Sequence, residues 1–156
     1  MDKNLTKQIL TARGSPVPSG ELIFRAQDVT LKAPAVVKPN AQGSTVGLSF
    51  VETEEEMQTA IEKALSFGTG ALVEEWVRGI EISVPVLGDR ALPAVEIVPL
   101  SGKYDFAAKY ESGGTDEICP ARISPNEEVQ AREWALSSHR ALGCSGATRT
   151  DMIVQP

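Results

Sequence analysis

The sequence is poor in the side chains on which many enzyme sites depend. Its 156 residues include one histidine and two cysteines. Cys119 and Cys144 fit neither a disulfide framework nor a zinc motif, so we expect both to be reduced, with Cys144 packed in the fold. His139 has no evident nucleophile partner, and we interpret it as a surface residue. A Ser/His/Asp triad is therefore not indicated.

Long apolar runs and an excess of positive charge are also missing. No uncharged stretch approaches the roughly 20 apolar residues of a transmembrane helix, and the first residues lack the apolar region of a secretion signal. The chain has 15 Lys and Arg residues and 21 Asp and Glu residues, so it is acidic. Broad nucleic-acid binding is therefore not indicated, because it needs a basic patch. With 42% hydrophobic residues, the chain is expected to be a globular cytoplasmic protein that binds neither nucleic acid nor membrane.

Helix and strand patterns are mixed along the chain. N-caps and apolar spacing predict helices at residues 3–13, about 54–67 and about 125–142. Strand patterns lie at residues 35–38, 46–51, 71–77, 80–87, 91–98 and 145–154. The turn signals Arg78-Gly79 and Gly88-Asp89 predict that the strands 71–77, 80–87 and 91–98 are antiparallel neighbours. Because βαβ alternation is not strict, we expect an α+β fold with largely antiparallel sheets in two lobes.

The third predicted helix carries an apolar stripe at helical spacing. Its expected buried residues are Ala131, Trp134, Ala135, Ser138 and Leu142.

A glycine- and hydroxyl-rich turn follows a lysine at a strand end. Lys38-Pro39 ends the strand, and Gln42-Gly43-Ser44-Thr45-Val46-Gly47 leads into the next one. Backbone N–H groups in such a turn can bind phosphate oxygens, and the lysine would add positive charge for the same anion. Taken alone, the pattern favours the alternative of a plain hairpin loop beside a solvated lysine, since the Walker A motif is absent.

Acidic residues interrupt an otherwise apolar strand. Glu74-Glu75-Trp76-Val77 follows Ala71-Leu72-Val73, and Glu81 comes shortly after. Strand alternation places Glu74 and Trp76 on one face and Glu75 on the other. A charged side chain is rarely buried without a partner. Two interpretations stay open: a strand that binds a purine edge and a ribose hydroxyl, or an edge strand with one solvated face.

A long polar segment with lysines and aromatics covers residues 101–117. Lys109 and Tyr110 lie within it, and such a segment suits a lid that closes over an anion. The alternative, which is favoured without further observations, is a solvated connection whose aromatic residues anchor it.

The last predicted strand places Arg149 and Asp151 on one face. These two residues could pair with each other, as charged neighbours on strand surfaces often do. The functional alternative gives Asp151 to a metal ion and Arg149 to an anionic intermediate. One carboxylate cannot make a Mg²⁺ site by itself, because that ion takes several oxygen ligands.

Taken together and in order, these segments resemble one family. The segments that carry the resemblance are Met1-Asp2-Lys3, Val37-Lys38-Pro39, Gly43-Ser44-Thr45-Val46-Gly47, Glu74-Glu75-Trp76, Glu81, Lys109-Tyr110 and Arg149-x-Asp151. Their order and spacing are similar to those of the D-alanine–D-alanine ligases, which are ATP-grasp carboxylate–amine ligases. The resemblance runs from Met1 to Val154, and it implies an ATP-grasp fold with two α+β lobes and ATP between their sheets.

The resemblance implies a set of nucleotide-binding residues. Its members are Lys3, Lys38, Gly43, Ser44, Thr45, Glu74, Glu75, Trp76, Val77, Glu81 and Lys109. The lysines would neutralise the phosphates of ATP, and the 42–47 loop would cover the triphosphate. The 74–77 segment would bind adenine, and Glu81 would hydrogen-bond the ribose.

The resemblance also implies catalytic and metal-binding residues. Ser44 would orient the closing loop and the substrate, while Lys109 would contact phosphate and Tyr110 would help to close the site. Arg149 would stabilise the tetrahedral intermediate, and Asp151 would bind Mg²⁺ or Mn²⁺.

The implied activity is the ATP-dependent joining of two D-alanines through an acyl phosphate, for peptidoglycan precursor synthesis. The alternatives are a ligase of the D-alanyl-D-lactate type and an inactive nucleotide-binding fragment. The family pattern has a domain before Met1 and a Glu-x-Asn metal segment after Asp151. We therefore expect lobes at residues 1–77 and 78–156, the second truncated at its C-terminus, weak or no activity of this fragment alone, and a homodimer of the full-length protein.

Overall fold

The computed structural model describes residues 2–99 and 114–155. Its helices are α1 (Lys3–Ala12), α2 (Glu54–Leu65) and α3 (Pro125–Ala141), with a short 3₁₀ helix at Ala26–Asp28. Its strands are β1 (Gly20–Ile23), β2 (Ala35–Pro39), β3 (Ser49–Val51), β4 (Ala71–Glu75), β5 (Ile80–Leu87), β6 (Arg90–Ala91), β7 (Val95–Pro99), β8 (Thr115–Ile118) and β9 (Ala147–Val154). Among these residues, no helix has both the length and the apolar character needed to cross a membrane.

The chain divides into two compact units. The first comprises Met1–Gln8 with Pro16–Val77, and the second comprises Ile9–Ser15 with Arg78–Pro156. Each unit has a hydrophobic core of its own. All strand pairings in the described residues are antiparallel, which confirms the α+β class predicted from the sequence.

In the first unit, α2 covers a four-stranded sheet with the order β1-β4-β2-β3. The helix begins at the Thr53/Glu56 capping box that the sequence predicts. Its apolar residues recur at helical spacing, so one face of the helix packs on the sheet. The resulting core includes Val37, Val51, Met57, Ile61, Ala64 and Val73.

In the second unit, β5 is the central strand of a five-stranded sheet. It pairs along its whole length with β9, and it also pairs with β6 and β7, while β8 pairs with β7. Helix α3 begins at the predicted Ser124/Glu127 capping box, with Pro125 in its first turn. The helix packs against this sheet, and the core includes Ile82, Val84, Val86, Ala131 and Ala135.

The buried stripe of α3 was predicted only in part. Ala131, Ala135 and Ser138 are buried, Trp134 is half-buried, and Leu142 is exposed. Leu142 follows the last helical residue, Ala141, so it lies beyond the turn that would have aligned it with the stripe. A buried His139 occupies the stripe instead, and the prediction of a surface histidine was wrong.

Several strand predictions were wrong. Val46 and Leu48 lie in turns rather than in a strand, because their N–H groups bond to Gly43 and Thr45. The predicted hairpin at Arg78-Gly79 does not form, since β4 and β5 belong to different sheets. The predicted 91–98 strand is split into β6 and β7, and the short strands β1 and β8 were missed.

Candidate functional site

A buried carboxylate lies between two lysines in the first unit. Glu74 is on β4, which runs between β1 and β2, and its side chain is 6% exposed. Its Oε1 atom accepts a hydrogen bond from Lys7 Nζ, and its Oε2 atom forms an ion pair with Lys38 Nζ. The interpretation of this segment as an edge strand was therefore wrong. Glu74, Lys7 and Lys38 are called the Glu74 cluster below.

Strand register explains how the Glu74 cluster forms. Val36 of β2 is opposite Glu74, and Lys38 is opposite Leu72. Lys38 is two residues from Val36, so its side chain is on the same face as Glu74, at the diagonal position. Lys7 reaches the carboxylate from α1 and also donates a hydrogen bond to the Pro18 carbonyl at 2.6 Å.

The electrostatics of the Glu74 cluster keep the carboxylate ionised. Burial raises the pKa of Glu74, because a buried charge loses hydration. The charges and hydrogen bonds of Lys38 and Lys7 outweigh that effect, and the pKa of Glu74 lies below its usual value. The carboxylate therefore holds both ammonium groups in place at neutral pH.

Lys3 fastens the end of β2 to the start of α1. Its Nζ donates to the carbonyls of Pro39, at 2.8 Å, and of Gln42. Asp2 caps α1, as the sequence predicts, by accepting a hydrogen bond from the Leu5 N–H. Burial and then the charge of Lys38 lower the pKa of Lys3. The structure thus places the Lys3 ammonium against the turn that precedes the 42–47 loop.

The 42–47 loop has an unusual backbone. Ser44 and Thr45 have φ angles of 51° and 58°, which side-chain-bearing residues seldom adopt, least of all a β-branched threonine. Gly47 has a φ of 72°, and a Cβ there would lie 2.6 Å from a Pro39 side-chain atom. Gly43 and Ser44 are exposed. Strained loops of this kind are concentrated at ligand-binding sites.

Hydrogen bonds and a ring contact hold the end of β4 and the residues that follow it. The Glu75 carboxylate accepts a hydrogen bond from the Ser19 N–H at 2.8 Å. The Trp76 N–H donates to the Pro34 carbonyl, and the Trp76 ring packs on Phe50 with ring centroids 4.9 Å apart. Val77, which is half-buried, ends the first unit.

The second unit contains a different charged group. The Oδ1 atom of Asp151 accepts a hydrogen bond from Ser83 Oγ at 2.9 Å. Arg149 Nε lies 3.1 Å from the same oxygen. Both charged residues are on the exposed face of β9, so the simple pairing that the sequence left open is present. Glu81 is half-buried on β5, opposite Ile153 of β9.

The described residues were also tested for a metal centre. They contain no group of three or more His, Cys, Asp or Glu side chains that could hold a metal ion. Asp151 offers carboxylate oxygen, the donor that Mg²⁺ prefers, but within residues 2–99 and 114–155 it is not part of a larger ligand set. Lys109 and Tyr110 lie outside the described residues.

Sequence reasoning missed the partly buried Lys7 and the burial of His139. Lys7 follows Lys3 by one helical turn, and that i,i+4 spacing was the available signal. His139 Nδ1 lies 2.7 Å from Thr148 Oγ1, which links α3 to β9. Cys144 was expected to be packed but is exposed, because it follows the end of α3.

Comparison with known families identifies the fold. The model of the D-Ala–D-Ala ligase C-terminal family matches residues 10–156. The chain belongs to this family. The relative from Azorhizobium caulinodans, a D-alanine–D-alanine ligase, is 40% identical over 97% of this chain and 51% of its own length. The corresponding ligase from Granulibacter bethesdensis is 42% identical over 97% of this chain and 50% of its own length.

Solved ligase structures of this family share the architecture. The VanG D-Ala:D-Ser ligase from Enterococcus faecalis superposes with a TM-score of 0.85 at 32% identity, over all of this chain and 49% of that one. The Bacillus anthracis D-alanine–D-alanine ligase complexed with ATP superposes with a TM-score of 0.79 at 26% identity. The match covers 99% of this chain and 51% of that one. The fold is therefore the ATP-grasp fold, and the chain spans about half the length of these relatives.

Proposed function

We propose that the protein containing this chain is an ATP-dependent D-alanine–D-alanine ligase that supplies peptidoglycan precursor. The Glu74 cluster carries the proposal, because it fixes Lys38 on the strand that leads, four residues later, into a strained, glycine- and hydroxyl-containing loop of the same unit. Such an arrangement suits a phosphate-rich ligand. Family membership and the ATP complex of the Bacillus anthracis ligase support ATP as that ligand.

The family pattern assigns different parts of the nucleotide to different residues. In the first unit, Lys38 and the exposed Gly43–Ser44 backbone would contact phosphate oxygens. Lys3, whose ammonium also donates to the Pro39 carbonyl, would add positive charge for the same phosphates. The Glu74–Val77 segment would bind adenine. In the second unit, Glu81 would bind ribose hydroxyls. The ligand roles of Ser44, Thr45, Glu75, Trp76, Lys109 and Tyr110 remain predictions of the family pattern.

The chemistry consists of positioning and charge neutralisation. A carboxylate oxygen of one D-alanine attacks the γ-phosphorus of ATP, the bond to ADP breaks, and an acyl phosphate forms. The amine of a second D-alanine then attacks the acyl carbon, inorganic phosphate leaves, and the amine loses its proton to water. Arg149 is exposed on β9 and would stabilise the oxyanion of the tetrahedral intermediate. No protein nucleophile is needed.

Asp151 would hold a magnesium or manganese ion, which would supply positive charge to the phosphate oxygens of the nucleotide. For this role the carboxylate must exchange part of its contact with Arg149, which its exposed position allows.

The direct test measures phosphate release by the complete gene product. We expect release from ATP only when D-alanine is present, with the dipeptide as product by mass spectrometry. ATP turnover that ignores D-alanine, or that follows another amino acid, would show that the substrate assignment is wrong.

A second acceptor is supported by one comparison. The VanG structure, a D-Ala:D-Ser ligase, superposes on the whole chain. D-Serine and D-lactate should therefore be offered against D-alanine as the second substrate near neutral pH. We expect D-alanine to be preferred, and preference for either competitor would reassign the acceptor.

The cellular setting is also a proposal. We propose a cytoplasmic protein, homodimeric at full length, that binds neither membrane nor nucleic acid. Cell fractionation and light scattering of the purified gene product test this: a membrane fraction or a monomeric mass would contradict it.

A further inference from the structure

Lys7 has no assigned part in the proposed reaction, yet it is more deeply placed than Lys38. Its side chain is 16% exposed, against 24% for Lys38. Its ammonium donates to the Pro18 carbonyl and to Glu74 Oε1. A lysine held in this way is not a free surface charge, because its ammonium compensates the buried Glu74 carboxylate.

The charge balance around Glu74 depends on Lys7. Among the described residues, Lys38 and Lys7 are the two cations whose charges and hydrogen bonds act on the Glu74 carboxylate. Loss of Lys7 would therefore remove one of the two charges that compensate this buried carboxylate and would leave it more strongly bound to Lys38.

The geometry also makes Lys7 a partner of Lys38 through Glu74. Lys7 occupies one carboxylate oxygen and Lys38 the other. If Lys7 were absent, either oxygen of Glu74 could pair with Lys38, and the carboxylate could rotate about its side-chain bonds. The position of the Lys38 ammonium would then be less well defined.

We propose that Lys7 is a positioning residue for ATP: it fixes Glu74, and through Glu74 it places Lys38 for phosphate binding. This inference rests on the proposed function, because it takes ATP as the ligand of the Glu74 cluster. It differs from a purely structural role, in which Lys7 would only tie α1 to Pro18 and β4.

The test compares five variants in the complete gene product: Lys7→Met, Lys7→Arg, Glu74→Gln, the Lys7→Met/Glu74→Gln double variant, and Lys32→Met. Lys32 is a matched control because it also pairs with a glutamate, Glu54, but at 3.9 Å and with its side chain mostly exposed. The dissociation constant of Mg-ATP is measured by calorimetry, and KM for ATP and kcat are measured separately.

We expect Lys7→Met to weaken ATP binding by about tenfold, the size expected when a hydrogen bond to a charged group is lost. The KM for ATP should rise in parallel, while kcat at saturating ATP changes by less than about threefold. Lys7→Arg should recover most of the affinity, since the charge and a donor remain. Lys32→Met should change none of these values by more than about twofold.

The double variant decides whether Lys7 acts through Glu74. In the Glu74→Gln background, Lys7→Met should weaken ATP binding by less than about threefold, because coupled residues are not additive. An equal loss in both backgrounds would overturn the proposal, and so would an unchanged dissociation constant in Lys7→Met. If Lys7→Met does not fold, Lys7→Gln provides the same comparison.

The proposed function can fail separately from this inference. A wild-type protein that binds ATP without D-alanine-dependent turnover would contradict the ligase assignment, while the dissociation constants would still test Lys7. A wild-type protein that does not bind ATP would contradict both.

Discussion

The two units treat their charged residues in opposite ways. Glu74 in the first unit is buried and has partners from two other elements, α1 and β2. Asp151 in the second unit has a side chain that is 46% exposed, and its charged partner Arg149 is on the same strand. The first carboxylate is thus a fixed part of the fold, whereas the second is accessible to a ligand.

This difference follows from where each strand lies. Strand β4 has neighbours on both sides, and the Glu74 side chain on it is buried, so its charge is desolvated and must be compensated by opposite charges from other elements. The exposed face of β9 keeps its charges in water, where an ion pair contributes little. Mutations of the two carboxylates should therefore affect stability to different extents.

The largest effect on stability is expected for Glu74→Gln. It leaves two partly buried ammonium groups without their anion, and we expect the free energy of unfolding to fall by about 3 kcal/mol. The chain has two tryptophans, Trp76 in the first unit and Trp134 in the second. Urea unfolding of the 156-residue chain, followed by tryptophan fluorescence in a Trp134→Phe background, therefore reports on the first unit.

The matched control for that prediction is Asp151→Asn, followed through Trp134 in a Trp76→Phe background. It should cost no more than about 1 kcal/mol, because Arg149 stays in water and the amide oxygen of Asn can still accept the hydrogen bond from Ser83. Equal losses of unfolding free energy in Glu74→Gln and Asp151→Asn would contradict the contrast between the two carboxylates.

Acidification should reveal the same contrast. The pKa of folded Glu74 is lowered from its usual 4.5, because the two lysines outweigh the effect of burial. Its contribution to stability is therefore complete above that value and is lost as the pH falls through the folded pKa. The difference in unfolding free energy between the wild type and Glu74→Gln should shrink below pH 4.5. A difference that stays constant with pH would show that the carboxylate charge is not its source.

Removing a partner of Asp151 should have a smaller effect. Ser83 is buried on β5 and donates to Asp151 Oδ1 at 2.9 Å. Ser83→Ala should cost about 1 kcal/mol, the value of a typical hydrogen bond, because Arg149 still contacts the carboxylate. A cost near that of Glu74→Gln would mean that Asp151 is more strongly tied to the fold than its exposure indicates.

The smallest effect on stability is expected for Arg149→Met. The pair with Asp151 is exposed, so stability should change by less than about 0.5 kcal/mol. D-Alanine-dependent turnover should nevertheless fall by about 100-fold or more, because the charge that stabilises the intermediate is lost. Thermal unfolding and phosphate release measure the two effects, and a large loss of stability with full activity would reverse our assignment.

Features that depend on neighbouring residues were predicted correctly more often than features that depend on distant segments of the chain. The capping boxes at Thr53 and Ser124 and the N-cap at Asp2 depend on residues three positions apart, and all three are confirmed. Strand neighbours depend on distant segments, so turn signals at Arg78-Gly79 wrongly paired β4 with β5.

The same limit applies to the candidate site. The sequence left the role of Glu74 open because the missed strand β1 makes β4 an internal strand. Lys7 was missed because its carboxylate partner lies 67 residues away in the chain. The family motifs include both Lys38 and Glu74, which the structure brings into contact although they are far apart in the sequence.

The most direct test of the account is the affinity of the complete gene product for Mg-ATP, measured by calorimetry in Lys38→Met and Arg149→Met. If the Glu74 cluster binds the nucleotide phosphates, Lys38→Met should weaken binding by about tenfold or more. Arg149→Met should bind ATP within about threefold of the wild type, because the role proposed for Arg149 begins with the tetrahedral intermediate. Wild-type affinity in Lys38→Met would contradict the account.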